Sequence, residues 1–187
     1  PEEIPLGAVR FNSDSQKLEY WMGSAWMQIQ TFSPTLDGGA RGVFMGMSVP
    51  TGDSQISYIT IPSGGDAIDF GSRTISGMGA NLSSRTRGLS AGDTAPAYVN
   101  TIDFITMSSK GNALDFGDRT NTAARSRGCS NEVRGIWAGG FIAPATPNVM
   151  DFVTIASTGN AVDFGDDLFT GRYSAGFSDS HGGLGGF

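Results

Sequence analysis

The chain has 187 residues, 39% of them hydrophobic and 10% aromatic, which is enough apolar material for a core and excludes disorder over most of the length. Its formal net charge is −6, from 12 Lys and Arg against 18 Asp and Glu, and no basic stripe suited to nucleic acid is visible. No apolar run approaches the roughly twenty residues of a membrane helix, and lone Cys129 rules out an internal disulfide, so no membrane insertion and a cytosolic place of synthesis are expected.

The first segment, "GAVRFNSDSQKLEYWMGSAWMQI" (Gly7–Ile29), reads as strand, Asn-Ser-Asp-Ser turn, strand, Gly-Ser turn, strand. Its landmarks are Arg10, Phe11, Asn12, Leu18, Glu19, Tyr20 or Trp21, Gly23 and Trp26. They resemble a small β-element found in phage tail and virion structural proteins, which implies an anchoring or oligomerising role for residues 1–33. Phe32-Ser33-Pro34 begins the linker into a second region, 34–187.

That region repeats. "DFG" triplets sit at Asp69-Phe70-Gly71, Asp115-Phe116-Gly117 and Asp163-Phe164-Gly165, spaced by 46 and 48 residues. Arg41-Gly42, Arg87-Gly88 and Arg134-Gly135 are spaced by 46 and 47, and His181-Gly182 follows at the same interval. Two markers keeping one period define copies at 41–86, 87–133 and 134–180 and a partial copy at 181–187.

Within a copy the elements follow one order. A glycine-rich strand ("RGIWAGG") leads through a variable loop bearing Pro to a β-branched and aromatic strand ("VMDFVTI"). A four-residue reversal ("SSKG", "ASTG") with Gly at the position needing positive φ precedes the returning strand, "NALDFGD". A less regular fourth segment ("AARSRGCSN", "GRYSAGFSD") closes the copy. Along Ile102–Met107 both faces are largely apolar, as in a sheet sandwiched between sheets. Four short strands per copy and no helical period predict an all-β, β-propeller-like array of about three four-stranded antiparallel blades plus a partial fourth. Phe70, Phe116 and Phe164 are expected in equivalent buried positions, and the equivalent Phe44 and Trp137 in the core.

The glycine-rich strand with its doublets Gly139-Gly140 and Gly185-Gly186 resembles a kelch-type blade, with "DFG" phenylalanines in place of the usual Tyr and Trp landmarks. From Arg41 to Phe187 the chain is similar to "IDFITI…GNAxDFGD" repeat proteins of tailed bacteriophages, especially those of marine cyanobacteria. The resemblance implies a virion structural protein.

Catalytic constellations are missing from the sequence. The one histidine, His181, stands where other copies carry arginine, and one Cys with one His cannot complete a zinc site. "HGGLGGF" and "GMGANL" lack the strand–helix setting of a dinucleotide loop. Asp115 with Asp118, or Asp163 with Asp166 and Asp167, could hold calcium weakly; the simpler reading has each Asp accepting backbone N–H bonds beside its Gly. Carboxylate pairs of glycosidase type stay open, because a propeller brings distant copies together. Arg41, Arg87 and Arg134 either ring a channel or pair with the repeated aspartates between blades, the second being preferred.

The resulting expectation is a non-enzymatic virion structural protein without a cofactor: a capsid decoration, fibre or tail-appendage component. It would form a homo-oligomer or attach to other virion proteins, with Gly182–Phe187 paired in a sheet. A carbohydrate-binding adhesin contacting a host-surface glycan is the alternative, because the loops are variable. A glycosidase on the same scaffold ranks third.

Overall fold

The computed structural model describes residues 4–13, 17–29, 40–47, 53–93 and 97–178. Every regular element among them is a β-strand. The chain divides into two units, Pro1–Asp37 and Gly38–Phe187.

In the first unit β1 (Val9–Asn12), β2 (Lys17–Trp21) and β3 (Trp26–Gln28) form an antiparallel meander in that order. The register sets Arg10 opposite Glu19 and Trp21 opposite Trp26. Gly23, at φ 99°, supplies the left-handed residue of the second reversal. Part of the first reversal, 14–16, lies outside the described residues.

The second unit holds three antiparallel sheets. One contains β4 (Arg41–Met47), β5 (Asp53–Thr60) and β6 (Ile68–Ser72) in sequence order. The next contains β7 (Ala80–Ser83), β8 (Arg87–Asp93), β9 (Val99–Thr106) and β10 (Leu114–Asp118). The last contains β11 (Arg127–Ser130), β12 (Arg134–Ala138), β13 (Val149–Thr154) and β14 (Val162–Asp166). The irregular fourth segment of the first two copies therefore contains a strand, yet that strand does not join its own copy; in the third copy residues 171–178 form none. β7 pairs with β8 and β11 with β12, each the first strand of the following copy. The sheets are offset by one strand from the copies at 41–86, 87–133 and 134–180. The physical reason is the connector between β6 and β7, and between β10 and β11, which carries the chain over to the next sheet before the short strand forms.

Two apolar clusters fill the spaces between successive sheets. Met45, Ile56, Tyr58, Phe70, Ile105 and Ala113 form one. Leu82, Leu89, Ile102, Phe116, Trp137, Val153 and Ile155 contribute to the other. Ile102 and Ile105 of β9 thus bury opposite faces of one strand, as its unbroken apolar run requires. The Trp137 indole N–H donates to the Ala80 carbonyl at 2.9 Å, which satisfies the polar end of a wholly buried ring.

Two expected core positions are not buried. Phe164 is 46% exposed, against 3% for Phe70 and Phe116, because no described segment follows to cover β14. Phe44 is 57% exposed although its equivalent Trp137 is fully buried, because within the second unit no described sheet stands before β4. Both residues occupy the repeat position expected of them. What they lack is a neighbouring sheet. Gly182–Phe187 and His181 lie outside the described residues.

Candidate functional site: the seam between repeats

Each "DFG" is a β-bulge. Ile56 pairs with Gly71 and Ser57 with Asp69, so Phe70 is the extra residue and turns into the space between sheets. Phe116 and Phe164 are bypassed in the same way. The glycine after each phenylalanine has positive φ: 151° at Gly71, 146° at Gly117 and 133° at Gly165. Asp115 Oδ1 accepts the Gly117 amide at 3.0 Å and Asp163 Oδ1 the Gly165 amide at 3.2 Å. The simpler reading of these two aspartates, as acceptors at a strand end, is therefore what their geometry displays.

The bulged edge receives the next copy. Gly111 N–H donates to the Phe70 carbonyl (2.9 Å) and Ala113 N–H to the Ser72 carbonyl (2.8 Å). Asn112 Oδ1 closes the gap by accepting Ser72 N–H at 3.1 Å. The contact recurs one period later: Gly159 N–H to Phe116 O, Ala161 N–H to Asp118 O, and Asp118 N–H to Asn160 Oδ1 at 3.1 Å. "GNA" is thus a plug, and "FGS" in the first seam and "FGD" in the second its socket. A Cβ on Gly71 would stand 2.3 Å from the Gly111 carbonyl oxygen, and one on Gly117 would stand 2.5 Å from that of Gly159. Glycine is required there on steric as well as conformational grounds.

A buried ion pair locks the middle of each seam. Arg119, in the connector after β10, reaches the fully buried Asp151 of β13 through Nε and Nη2 at 3.1–3.2 Å. Thr120 adds its backbone N–H and hydroxyl to the same carboxylate, both at 3.0 Å. Arg73 reaches Asp103 of β9 through Nε alone at 3.2 Å, Thr74 adds its backbone N–H and hydroxyl to that carboxylate, and Arg73 Nη1 meets Asp93 at 3.2 Å. The arginine and aspartate side chains are 0% exposed, so each charge depends on its partner.

The repeated arginines do not pair with the repeated aspartates. Arg41 Nη1 donates to the Met107 carbonyl (2.7 Å) and Arg87 Nη1 to that of Ile155 (3.0 Å), each in the next copy. Each guanidinium also lies over an aromatic ring of its own sheet: Arg41 over Tyr58, Arg87 over Phe104 and Arg134 over Phe152. The preferred alternative, pairing between sheets, is right in place and wrong in partner. The acceptors are carbonyl oxygens at the reversal of the next copy, while Asp115 and Asp163 serve their own bulges.

The clamp residues Arg73, Asp103, Arg119 and Asp151 were not singled out by the sequence reading. Their signal was an aspartate inside the most apolar strand of the copy ("TIDF", "VMDF") and an Arg-Thr pair after "DFGS" and "DFGD". At the two ends of the array the pattern changes. Ser57 stands where Asp103 and Asp151 do, and Asp66 stands where Asn112 and Asn160 do. Asp167-Leu168 replaces the Arg-Thr pair, and Asp167 is bonded instead to Arg127.

In the first unit Glu19, 5% exposed, gathers two of the element's landmarks. Asn12 Nδ2 donates to Oε1 at 3.0 Å and Arg10 Nε to Oε2 at 2.8 Å, while the Arg10 guanidinium lies 4.1 Å over Trp26. The Asn12 amide first, and then Arg10, hold the Glu19 carboxyl below its usual range.

In comparisons with known proteins, no family model matches this chain and no curated protein matches it.

Proposed function

We propose that the chain is a non-enzymatic structural protein of a tailed-bacteriophage virion, a capsid decoration, fibre or tail-appendage component. The observation that carries the reading is the seam. It is made twice within the chain and left half-made at both described ends. Gly65-Asp66-Ala67 is an exposed plug with no described socket, and Phe164-Gly165-Asp166 is a socket with no described plug. The repeated residues are engaged in holding sheets to one another, which suits an assembly part better than a catalyst. On this reading the sheets are blades of a propeller completed by further copies or by other virion proteins. The N-terminal meander serves as anchor.

Mass spectrometry of purified particles tests the proposal. The protein is expected among the structural components. Its absence from particles that carry the gene would overturn the reading.

A further inference from the structure

Five residues from three connections and the segment after β14 meet on one flank of the last two sheets. Tyr98 precedes β9, Phe141 follows β12, Arg125 lies between β10 and β11, and Arg172 and Tyr173 follow β14. The Arg172 guanidinium lies 4.0 Å over the Phe141 ring and 5.5 Å from that of Tyr173. Arg125 lies 5.0 Å from the Tyr173 ring and 5.8 Å from Phe141, whose far neighbour is Tyr98 at 6.0 Å.

Most arginines of this chain are tied to an acceptor: Arg10, Arg73, Arg119 and Arg127 to carboxylates, Arg41 and Arg87 to carbonyls. The side chains of Arg125 and Arg172 make no hydrogen bond and no ion pair among the described residues. Arg125 Nε is shut away from solvent with nothing to bond. A guanidinium stacked on a ring holds its orientation while those in-plane N–H groups that reach solvent stay available for a planar anion. Both guanidinium groups stand near the Phe141 and Tyr173 rings, and neither has a carboxylate partner among the described residues.

The backbone adds a separate observation. Arg125 (φ 58°) and Tyr173 (φ 59°) are the non-glycine residues with positive φ among the described residues, and they occupy the same place in successive copies. Tyr173 N–H bonds the Arg125 carbonyl at 3.2 Å, so the two uncommon conformations are coupled. Conformations of this kind concentrate where side chains are held for a ligand.

The geometry points to a binding site for an acidic saccharide, in which a uronate carboxylate meets Arg125 and Arg172 and the sugar ring lies against Tyr173. Tyr173 is 65% exposed, and the part of its ring that the two guanidinium groups leave uncovered is the aromatic surface against which a pyranose would lie. The site does not depend on where the protein resides and goes beyond the virion reading.

The experiment is a binding titration of the purified chain with polygalacturonate, alginate and hyaluronate, beside neutral dextran and inorganic polyphosphate. At least one uronate polymer is expected to bind with an affinity that falls as salt rises, and dextran is expected not to bind. Arg172→Ala should weaken that binding roughly tenfold or more, the loss expected for a charged hydrogen bond. Arg172→Lys should weaken it by less than Arg172→Ala but still measurably, because it keeps the charge and loses the stack. Arg125→Gly relieves the positive φ without a fold penalty and should likewise weaken binding, and circular dichroism verifies that each variant is folded. No binding of any of the three uronates would overturn the assignment, as would an Arg172→Ala variant that binds as well as the parent. Equal affinity for polyphosphate would also overturn it, since charge alone would then suffice.

Discussion

At Gly117 two constraints act on one atom position. An alanine there must adopt φ near 146° and place its Cβ 2.5 Å from the Gly159 carbonyl oxygen, whereas at Gly165 the space is open and only the conformation resists. Gly117→Ala is expected to cost about 1–3 kcal/mol, and Gly165→Ala less, in chemical denaturation of the two variants. The phenylalanines make the same contrast through packing. Phe116→Ala should cost roughly 3–5 kcal/mol, and half-exposed Phe164→Ala about 1 kcal/mol. Equal losses at the two positions would mean that the socket at Phe164 is filled in solution. Glu19 supplies a pH dependence. Its carboxyl titrates lower in the fold than in the open chain, so it stabilises the N-terminal meander fully above the ordinary glutamate range. That contribution is lost as pH falls through the lowered value. Acid titration followed by tryptophan fluorescence should show the loss, and Glu19→Gln should remove it.

Among the elements, the Arg119–Asp151 clamp is the sharpest test of the seam. Arg119→Met leaves a fully buried carboxylate supported by Thr120 alone and should cost about 3–5 kcal/mol. The double variant Arg119→Met with Asp151→Leu should recover a large part of that loss, because no charge is then stranded. A double variant no better than the single one would show that the pair does not act as a unit. The strands themselves were readable, since β9 and β13 are β-branched and aromatic and bounded by turn residues. So was the reversal before "DFG", where Gly111 and Gly159 have the positive φ assigned to that position. The regrouping of β7 and β11 was not readable. Strands as short as "ANLS" and "RGCS" have no pattern that names a partner, and pairing is decided by which edge the connector reaches. The clamp was hidden for a related reason. A charge within an apolar strand has meaning only once its partner, some thirty residues away, is in place.

For the whole molecule, the seam predicts association. Plug and socket are free at opposite ends of the described array, so copies would join head to tail. A stable monomer at micromolar concentration in light scattering would overturn this. Such a joint would be weaker than the internal ones, because Ser57 and Asp167 omit both halves of the buried pair and Asp66 brings a second acid towards Asp166. Restoring the internal pattern with Ser57→Asp, Asp66→Asn and Asp167→Arg together should shift the population to larger species. Burial at the ends was not legible in the sequence for the same reason that Phe44 and Phe164 stand open: a repeat reads alike wherever it falls, and only its neighbours decide what is covered.

The borrowing of β11 by the sheet of the following copy also bears on how such a gene can change length. Unequal crossover between equivalent codons of two copies adds or removes one whole period, and every strand in the product still finds the successor it pairs with. The reading phase of the crossover is therefore immaterial to the fold. A stop codon enjoys no such freedom. Placed just before Arg134, it would strand the four residues of β11 without β12; placed after β14, it leaves each preceding sheet entire. Arrays of this kind can grow by recombination at any point and can end cleanly at only one.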